Sequence, residues 1–152
     1  MRIEAIYISP GHNFFGHHGM PAGGHAMTAL LRVECVAGKG LVGDRFFGHK
    51  EDYKGQINVF AMEVYEDLCR RLGVADRDPS VFRRNVLTRG VDLNSLIGKT
   101  FTVQGIEFAG VAECTPCYWM DQAFAPGAED ALQNRGGLRA RILSDGFLET
   151  GK

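Results

Sequence analysis

Short segments of alternating apolar and polar residues, separated by glycine, run along most of this chain and constrain its fold more than any other feature. Such alternation is typical of strands, and glycine is abundant, with 20 copies among 152 residues. The predicted strands are 2–9, 30–37, 56–61, 85–88, 100–104, 106–112 and 139–143. The segment 62–72 instead has apolar residues at the spacing of one helical face and is followed by Gly73, a typical helix C-cap. We therefore predict a mainly β domain, barrel-like or a sandwich, with a few attached helices.

The overall charge of the chain gives no indication of a nucleic acid or a membrane as partner. Seventeen basic and 18 acidic residues leave a formal net charge of −1. Both of those partners are bound by clustered positive charge, and no apolar run approaches the roughly 18 residues of a membrane-spanning helix. The N-terminus lacks the apolar segment of a secretory signal. We expect a single domain over residues 1–152, located in the cytoplasm, where the cysteines stay reduced.

The segment Cys114-Thr115-Pro116-Cys117 carries most of the chemical information. A structural zinc site needs about four ligands, and the chain has no second pair of closely spaced cysteines. A thioredoxin-type redox pair follows an early strand, whereas this pair lies near the C-terminal end of the sequence. Two other interpretations stay open. Both sulfurs pack as small apolar groups, or one of them is a cofactor ligand or a nucleophile.

Side-chain alternation separates the two cysteines of this segment. Residues two apart on a strand share a face, so Cys114 is predicted to lie on the core face with Ile106 and Phe108 and to be buried. Cys117 has the opposite parity and follows Pro116, which ends regular strand pairing. The thiol of Cys117 is therefore predicted to leave the core face at a strand end, in the position of a ligand or nucleophile.

Several arginines lie beside glycine-rich bends. They occur in Gly43-Asp44-Arg45, in Arg83-Arg84-Asn85 and in Arg139-Ala140-Arg141. Arginines next to exposed backbone N–H groups suit a small anionic cofactor that carries a phosphate. The alternative is that they brace turns or face solvent.

The segment 11–24 is rich in glycine and has no periodic apolar face, so it is predicted to be a long functional loop or a disordered segment. His12, His17, His18 and His25 lie in it or beside it. Imidazoles bind metal ions, but adjacent histidines do not readily face one ion together. We favour hydrogen bonding to a ligand phosphate, or simple solvation, for these side chains.

Taken together, the order and spacing of these segments resemble the MOSC family, the domain related to the C-terminus of molybdenum cofactor sulfurases, in its small stand-alone bacterial form. The resemblance covers nearly the whole chain. It is carried by Gly43-Asp44-Arg45, Phe82-Arg83-Arg84-Asn85-Val86, Gly90-Val91-Asp92-Leu93, Leu96-Ile97-Gly98, Pro116-Cys117 and Gly136-Gly137-Leu138-Arg139-Ala140-Arg141, with the loop 12–19 and the segment 52–57.

The resemblance implies a β-barrel-like domain that binds a pyranopterin molybdenum cofactor or carries sulfur for its maturation. Cys117 takes the position of the family's cysteine that ligates molybdenum or holds a persulfide. The candidate cofactor-binding residues are Arg45, Arg84 and Arg139 for the pterin phosphate, Asn85 for a polar contact to the pterin, and His17 and His18 in the loop.

Reductases of the family act on N-hydroxylated substrates such as hydroxylaminopurines and amidoximes, and the resemblance implies such an activity here. Because no haem, flavin or iron–sulfur motif is visible, electrons would come from a partner protein. The alternative is a sulfur carrier or cofactor-delivery protein, with a persulfide on Cys117, a sulfur-donor protein as partner and no turnover of its own. A third function is that of a pure binding domain.

Overall fold

The computed structural model describes residues 1–11 and 26–152, in which short strands predominate. The strands are β1 (Arg2–Ile8), β2 (Thr28–Leu30), β3 (Arg32–Val36), β4 (Gly40–Leu41), β5 (Ile57–Ala61), β6 (Val86–Arg89), β7 (Thr100–Val103), β8 (Ile106–Glu113), β9 (Leu138–Ile142) and β10 (Gly146–Glu149). The helices are α1 (Met62–Leu72), α2 (Trp119–Ala123) and α3 (Ala128–Ala131), with 3₁₀ helices at Pro79–Phe82 and Leu93–Leu96. The prediction of a mainly β fold with a few attached helices is confirmed.

These strands form a larger and a smaller sheet. The order is β2-β1-β6-β5-β9-β8-β7 in the larger sheet and β10-β3-β4 in the smaller one. Neighbouring strands of the larger sheet are antiparallel, except that β5 and β6 are parallel. In the described part of the chain this sheet has edges at β2 and β7, so it is open and not a closed barrel. Because β5 and β8 both pair with β9, the end of β8, the start of β9 and the first half of β5 lie side by side.

Apolar side chains cover both faces of the larger sheet. On one face the main core includes residues of both sheets, namely Ile3, Ile6, Val33, Cys35, Leu41, Ile57, Val59, Val86, Phe108, Leu138 and Leu148. On the other face Phe60, which alternates with Val59 on β5, packs with Phe82 and the three α-helices. That second apolar cluster also contains Leu68, Met120, Phe124, Ala128 and Leu132. The central strand β5 is therefore covered on both sides.

Two β-bulges decide which side chains reach the main core. In β1 the pairing with β6 shifts between Ile3 and Ala5, and as a result both Ile3 and Ile6 face the main core. In β8 the pairing with β9 shifts between Gly110 and Ala112. A bulge adds one residue to one strand, so side-chain alternation reverses across it. The residues of β8 that follow Gly110 therefore face the opposite way from the one that uninterrupted alternation predicts.

Apart from the two-residue strand β4, which the sequence does not predict, the structure differs from the predicted elements in three places. The segment 30–37 is not one strand, because Leu31, which is 82% exposed, separates β2 from β3. The sequence does not predict β10, since only Phe147 and Leu148 mark it as apolar; it pairs with β3, and the guanidinium of Arg32 lies 3.7 Å from the ring centroid of Phe147. The sequence does not predict α2 either, because five residues are too few to show helical periodicity.

The amphipathic helix α1 lies where the sequence predicts it. Gly73 ends the helix in the left-handed conformation, with φ of 63°, and donates its N–H to the carbonyl of Cys69. Leu68 is buried in the second apolar cluster and Cys69 packs against that cluster, as expected for residues on the apolar face of the helix. Among the described helices, none is long and apolar enough to cross a membrane.

Candidate functional site

The middle of the larger sheet brings together polar residues that are far apart in the sequence. Asn58 lies in β5, Asn85 immediately precedes β6, Arg139 lies in β9, and Cys114 immediately follows β8. Arg139 pairs with Asn58 on one side and with Ala112 on the other. Paired residues project to the same face of a sheet, and on β5 that face is opposite the main core. We call it the site face.

Asn85 is fully buried and joins three strands. Its Nδ2 donates to the carbonyl oxygen of Tyr7 at 3.2 Å, and its Oδ1 accepts from the backbone N–H of Asn58 at 3.1 Å. The backbone N–H of Asn85 also donates to the carbonyl of Asn58 at 3.0 Å. In the structure, the side chain of Asn85 therefore fixes β1 and β5 at the start of β6 and sets the position of Asn58.

Asp44 is a buried carboxylate that organises the loop after β4. Its Oδ1 accepts from the backbone N–H of Ser9 and from Nη1 of Arg45, both at 3.0 Å, and its Oδ2 accepts from the backbone N–H of Phe46 at 3.2 Å. Nη2 of Arg45 donates to the carbonyl of Arg83 at 2.8 Å. The side chain of Arg45 is thereby held in a fixed position between the loop and the start of β6.

Arg83 and Arg84 place two further guanidinium groups beside this loop. Arg83 has φ of 57° and is 6% exposed, and its Nη2 donates to Oγ of Ser9 at 3.0 Å. Arg84 is half-buried and donates from Nε to the carbonyl of Gly136 at 3.0 Å and from Nη1 to the carbonyl of Phe82 at 3.2 Å. The two adjacent arginines thus form hydrogen bonds to different segments, Arg83 to the end of β1 and Arg84 to the segment before β9.

The arginine cluster, defined as Arg45, Arg83 and Arg84, carries more positive charge than its carboxylate balances. Burial lowers the pKa of Arg83 to about 10, and the like charge of Arg45 contributes. Burial also lowers the pKa of Arg45, with a contribution from Arg84, although Asp44 acts in the opposite direction. Three guanidinium groups and one carboxylate leave an excess of two positive charges. The sequence of segment 12–25, which follows Gly11, contains no aspartate or glutamate to balance them.

Cys114 faces the site and not the main core. Alternation along β8 predicts that it shares a face with Phe108, but the bulge after Gly110 reverses the alternation. The predicted face is therefore wrong, whereas the predicted burial is confirmed, since Cys114 is 3% exposed. Its thiol donates to Oδ1 of Asn58, with an Sγ to oxygen distance of 3.6 Å.

Cys117 is a half-buried free thiol in the segment between β8 and α2. Its carbonyl oxygen accepts the N–H of Met120 at 2.9 Å, which begins the turn into α2. A chain of contacts connects it to the arginine cluster. Arg84 donates a hydrogen bond to the carbonyl of Gly136. Gly136 packs closely against Pro116, the residue before Cys117, since an added Cβ atom on Gly136 would lie 3.1 Å from Cδ of Pro116.

Arg139 is half-buried on the site face, and its guanidinium makes no hydrogen bond or ion pair with any described residue. Arg141 lies two residues further along the same face of β9 and differs from it. Nε of Arg141 is 2.9 Å from Oδ1 of Asp52 and also donates to the carbonyl of Asp52 at 3.2 Å. Of these two arginines, Arg139 alone keeps all its donors available for a ligand.

The predicted cofactor contacts His17 and His18 lie outside the described residues, as do His12 and His25. Within residues 1–11 and 26–152, no group of three or more histidine, cysteine, aspartate or glutamate side chains is placed to hold a metal ion. A metal bound by Cys117 alone would need its other ligands from a cofactor.

Asn58 and Arg83 are site residues to which the sequence analysis gives no individual role. The available signal for Asn58 is a polar residue inside the otherwise apolar strand Ile57–Ala61. For Arg83 the sequence shows only two adjacent arginines. It does not reveal the turn, which buries Arg83 and leaves Arg84 half-buried.

We expect alkylation to distinguish the thiols of the native protein. Cys117 should react with iodoacetamide at least about tenfold faster than Cys35 and Cys114, because both of these are buried and thiolates react only where reagent reaches them. Burial, together with the charge of Glu34, also raises the pKa of Cys35 to about 12. Peptide mass spectrometry after timed alkylation measures the rates, and protein unfolded in urea is the control. Labelling of Cys35 before Cys117 in the native state would contradict this assignment.

Comparison with known proteins agrees with this architecture. The model of the MOSC domain family matches residues 17–152. Among solved structures, the YuaD protein from Bacillus subtilis superimposes with a TM-score of 0.74 at 19% identity over 98% of this chain and 91% of its own. YiiM from Geobacillus stearothermophilus has a TM-score of 0.69 at 14% identity, and the match covers 99% of this chain and 71% of that one. YiiM from Escherichia coli has a TM-score of 0.64 at 17% identity, and the match covers 98% of this chain and 66% of that one. No curated protein sequence matches the chain significantly. The structural likenesses show a shared fold, and the family match shows that this chain belongs to the MOSC domain family.

Proposed function

We propose that this protein binds a pyranopterin molybdenum cofactor through the thiolate of Cys117 and reduces a small N-hydroxylated substrate. The MOSC family is associated generally with the molybdenum cofactor. Cys117 is a free, half-buried thiol in the segment that follows β8, which supports a role as a ligand. Thiolate is a soft donor that suits such a metal.

The observation that carries the proposal is the excess of positive charge in the arginine cluster close to Cys117. A phosphate monoester carries about −1.5 to −2 charges at neutral pH. The cluster offers an excess of two positive charges, and Nη2 of Arg84 has no hydrogen-bond partner among the described residues. Guanidinium groups bind phosphate oxygens in a fixed, paired geometry. The residues present therefore fit a phosphate-bearing cofactor.

Within this proposal each described residue has a separate task. Arg84 binds the phosphate, while Arg45 holds the start of β6 in place through the carbonyl of Arg83. Asn85 holds β1 and Asn58 in position, since its amide oxygen and its amide nitrogen are both hydrogen-bonded to backbone groups. Cys117 would hold the metal as a thiolate, and its proton would go to solvent. The bound cofactor would supply the redox chemistry, and a partner protein would supply the electrons.

The metal content of the purified protein tests the proposal. Protein from molybdenum-replete cells should contain close to one molybdenum atom per chain by elemental analysis, and Cys117→Ala should lose at least about nine-tenths of it, because a metal–thiolate bond is removed. Cys69→Ala is the matched control, since Cys69 is also a half-buried free thiol but packs against the second apolar cluster. Full retention of molybdenum in Cys117→Ala would rule out the assignment.

The same samples test the sulfur-carrier alternative. A carrier would show Cys117 heavier by one sulfur atom in intact-mass spectra, and thiol reductants would remove the added mass. It would also leave N-hydroxylated compounds unreduced in the presence of an electron donor. A persulfide on Cys117 in protein that contains no molybdenum would replace the proposed function with that one.

A further inference from the structure

The site face also carries the polar pair Asn58 and Arg139, which is separate from the arginine cluster. The two residues are direct partners across β5 and β9. Cβ atoms of directly opposed residues on antiparallel strands are about 4.5–5.5 Å apart. Their side chains are therefore close enough for one small ligand to contact both.

In the side-chain amide of Asn58 the oxygen has a hydrogen-bond partner and the nitrogen is available. It is 7% exposed, and its Oδ1 accepts from the thiol of Cys114 at 3.6 Å. Its Nδ2 makes no hydrogen bond to any described residue and is not sealed off from the surrounding space. A buried amide donor without a partner costs free energy unless a ligand or water binds it. Cys114 thus fixes the orientation that leaves Nδ2 available for a ligand.

Arg139 adds a cationic donor to this amide. No described residue forms an ion pair with it, whereas Arg141 on the same strand face is paired with Asp52. The pair of Asn58 and Arg139 therefore combines one neutral donor with one positive charge, and it has no carboxylate of its own.

We propose that Asn58 and Arg139 form an oxyanion subsite that binds the carboxylate of a small organic substrate beside Cys117, in place of the phosphate contact that the family resemblance implies for Arg139. A single positive charge balances a carboxylate, whereas the excess of two charges in the arginine cluster suits a phosphate monoester. The inference rests on the proposed function in one respect, because it narrows the substrate class to N-hydroxylated compounds that also carry a carboxylate. The binding step itself needs no cofactor.

Nuclear magnetic resonance of ¹⁵N-labelled protein, with sodium benzoate as the probe, tests the subsite. In cofactor-free protein, benzoate should shift the side-chain NH₂ signals of Asn58 and the Nε–H signal of Arg139 in a saturable manner, and equal ionic strength of sodium chloride should not. Asn58→Asp keeps the oxygen that accepts from Cys114 but replaces the donor with a carboxylate oxygen. It should weaken benzoate binding at least about tenfold, as should Arg139→Gln, because each removes a charge-assisted or buried donor.

Arg141→Gln is the matched control, because it removes the same charge from the same strand face at a residue that is already paired. It should bind benzoate within about twofold of the wild type, since the charge of Arg141 is already balanced by the carboxylate of Asp52. Thermal unfolding of each variant checks the fold. If Asn58→Asp does not fold, the comparison of Arg139→Gln with Arg141→Gln decides. An absence of saturable shifts, or an equal loss of binding in Arg141→Gln, would overturn the proposal.

Two further binding measurements distinguish a substrate subsite from a cofactor-phosphate site. Protein loaded with molybdenum cofactor should bind benzoate as well as cofactor-free protein does, and inorganic phosphate should shift the Nε–H signal of Arg84 without displacing benzoate. If cofactor loading or phosphate displaces benzoate, the pair holds the cofactor phosphate and the substrate assignment is wrong. Failure of the benzoate arm leaves the molybdenum content of the protein untouched, so the two proposals fail independently.

Discussion

Gly136→Ala is expected to destabilise the protein by at least about 3 kcal/mol, an overpacking cost at the upper end of the usual range. A Cβ atom on Gly136 would overlap the carbonyl oxygen of Cys114. The surrounding backbone cannot yield easily. The N–H of Cys114 donates to the carbonyl of Gly137 at 2.8 Å, and the N–H of Gly136 donates to Oε2 of Glu113 at 3.2 Å. Denaturant unfolding followed by circular dichroism measures the change.

The control for this substitution is Gly98→Ala. Gly98 has φ of 79° but no atom within 4 Å of an added Cβ, so only backbone strain of about 1–2 kcal/mol opposes the change. A larger loss of stability at Gly136 than at Gly98 identifies close approach of two chain segments as the cause. Because the segment 114–117 is one of those segments, the folded fraction of Gly136→Ala should also show faster alkylation of Cys114. Equal stability losses in the two variants would contradict the argument.

Asp44→Asn is expected to destabilise the protein by about 3 kcal/mol or more, because breaking a buried ion pair leaves an uncompensated buried charge. The carboxylate of Asp44 is fully buried, and the Arg45 side chain is 6% exposed. Without that carboxylate, three neighbouring guanidinium groups lose the one negative charge that the described residues place between them. Inorganic phosphate should restore part of the lost stability by binding to the folded state. Chemical denaturation with and without phosphate measures both effects.

Asp52→Asn is the matched control for the buried pair. Asp52 also forms an ion pair with an arginine, at 2.9 Å from Arg141, but its side chain is 79% exposed. Exposed pairs contribute little, so this substitution should change the unfolding midpoint only slightly and should show no phosphate-specific recovery. If Asp44→Asn behaves like Asp52→Asn, the carboxylate of Asp44 does not balance the arginine cluster.

The elements with long, regular patterns could be predicted from the sequence. The helix α1 and its capping glycine follow from eleven residues of helical spacing, and most strands follow from alternation. The short elements β4, β10 and α2 could not be predicted, because two to five residues carry too little periodicity. Their positions depend on partners elsewhere in the chain.

The candidate site was only partly predictable, for a physical reason that differs from residue to residue. The half-buried position of Cys117 after a strand could be predicted, because a proline precedes it and interrupts strand pairing, while its role as a ligand stays a prediction. The face of Cys114 could not, because one extra residue in β8 reverses alternation without changing the composition of the strand. Asn58 is prominent in the sequence only as a polar residue in an apolar strand, and its partner Arg139 becomes apparent only when β5 and β9 pair.

The bulge in β8 also separates the evolutionary constraints on one strand. Substitutions at Ile106 and Phe108 are limited by packing in the main core. Those at Ala112 and Cys114 are limited by their contacts on the site face. A lineage can therefore change its ligand preference by altering the second half of the strand while the first half continues to maintain the fold. A relative without the extra residue at Val111 would have uninterrupted alternation along this strand, so strand pairing should be compared before any cysteine is called equivalent.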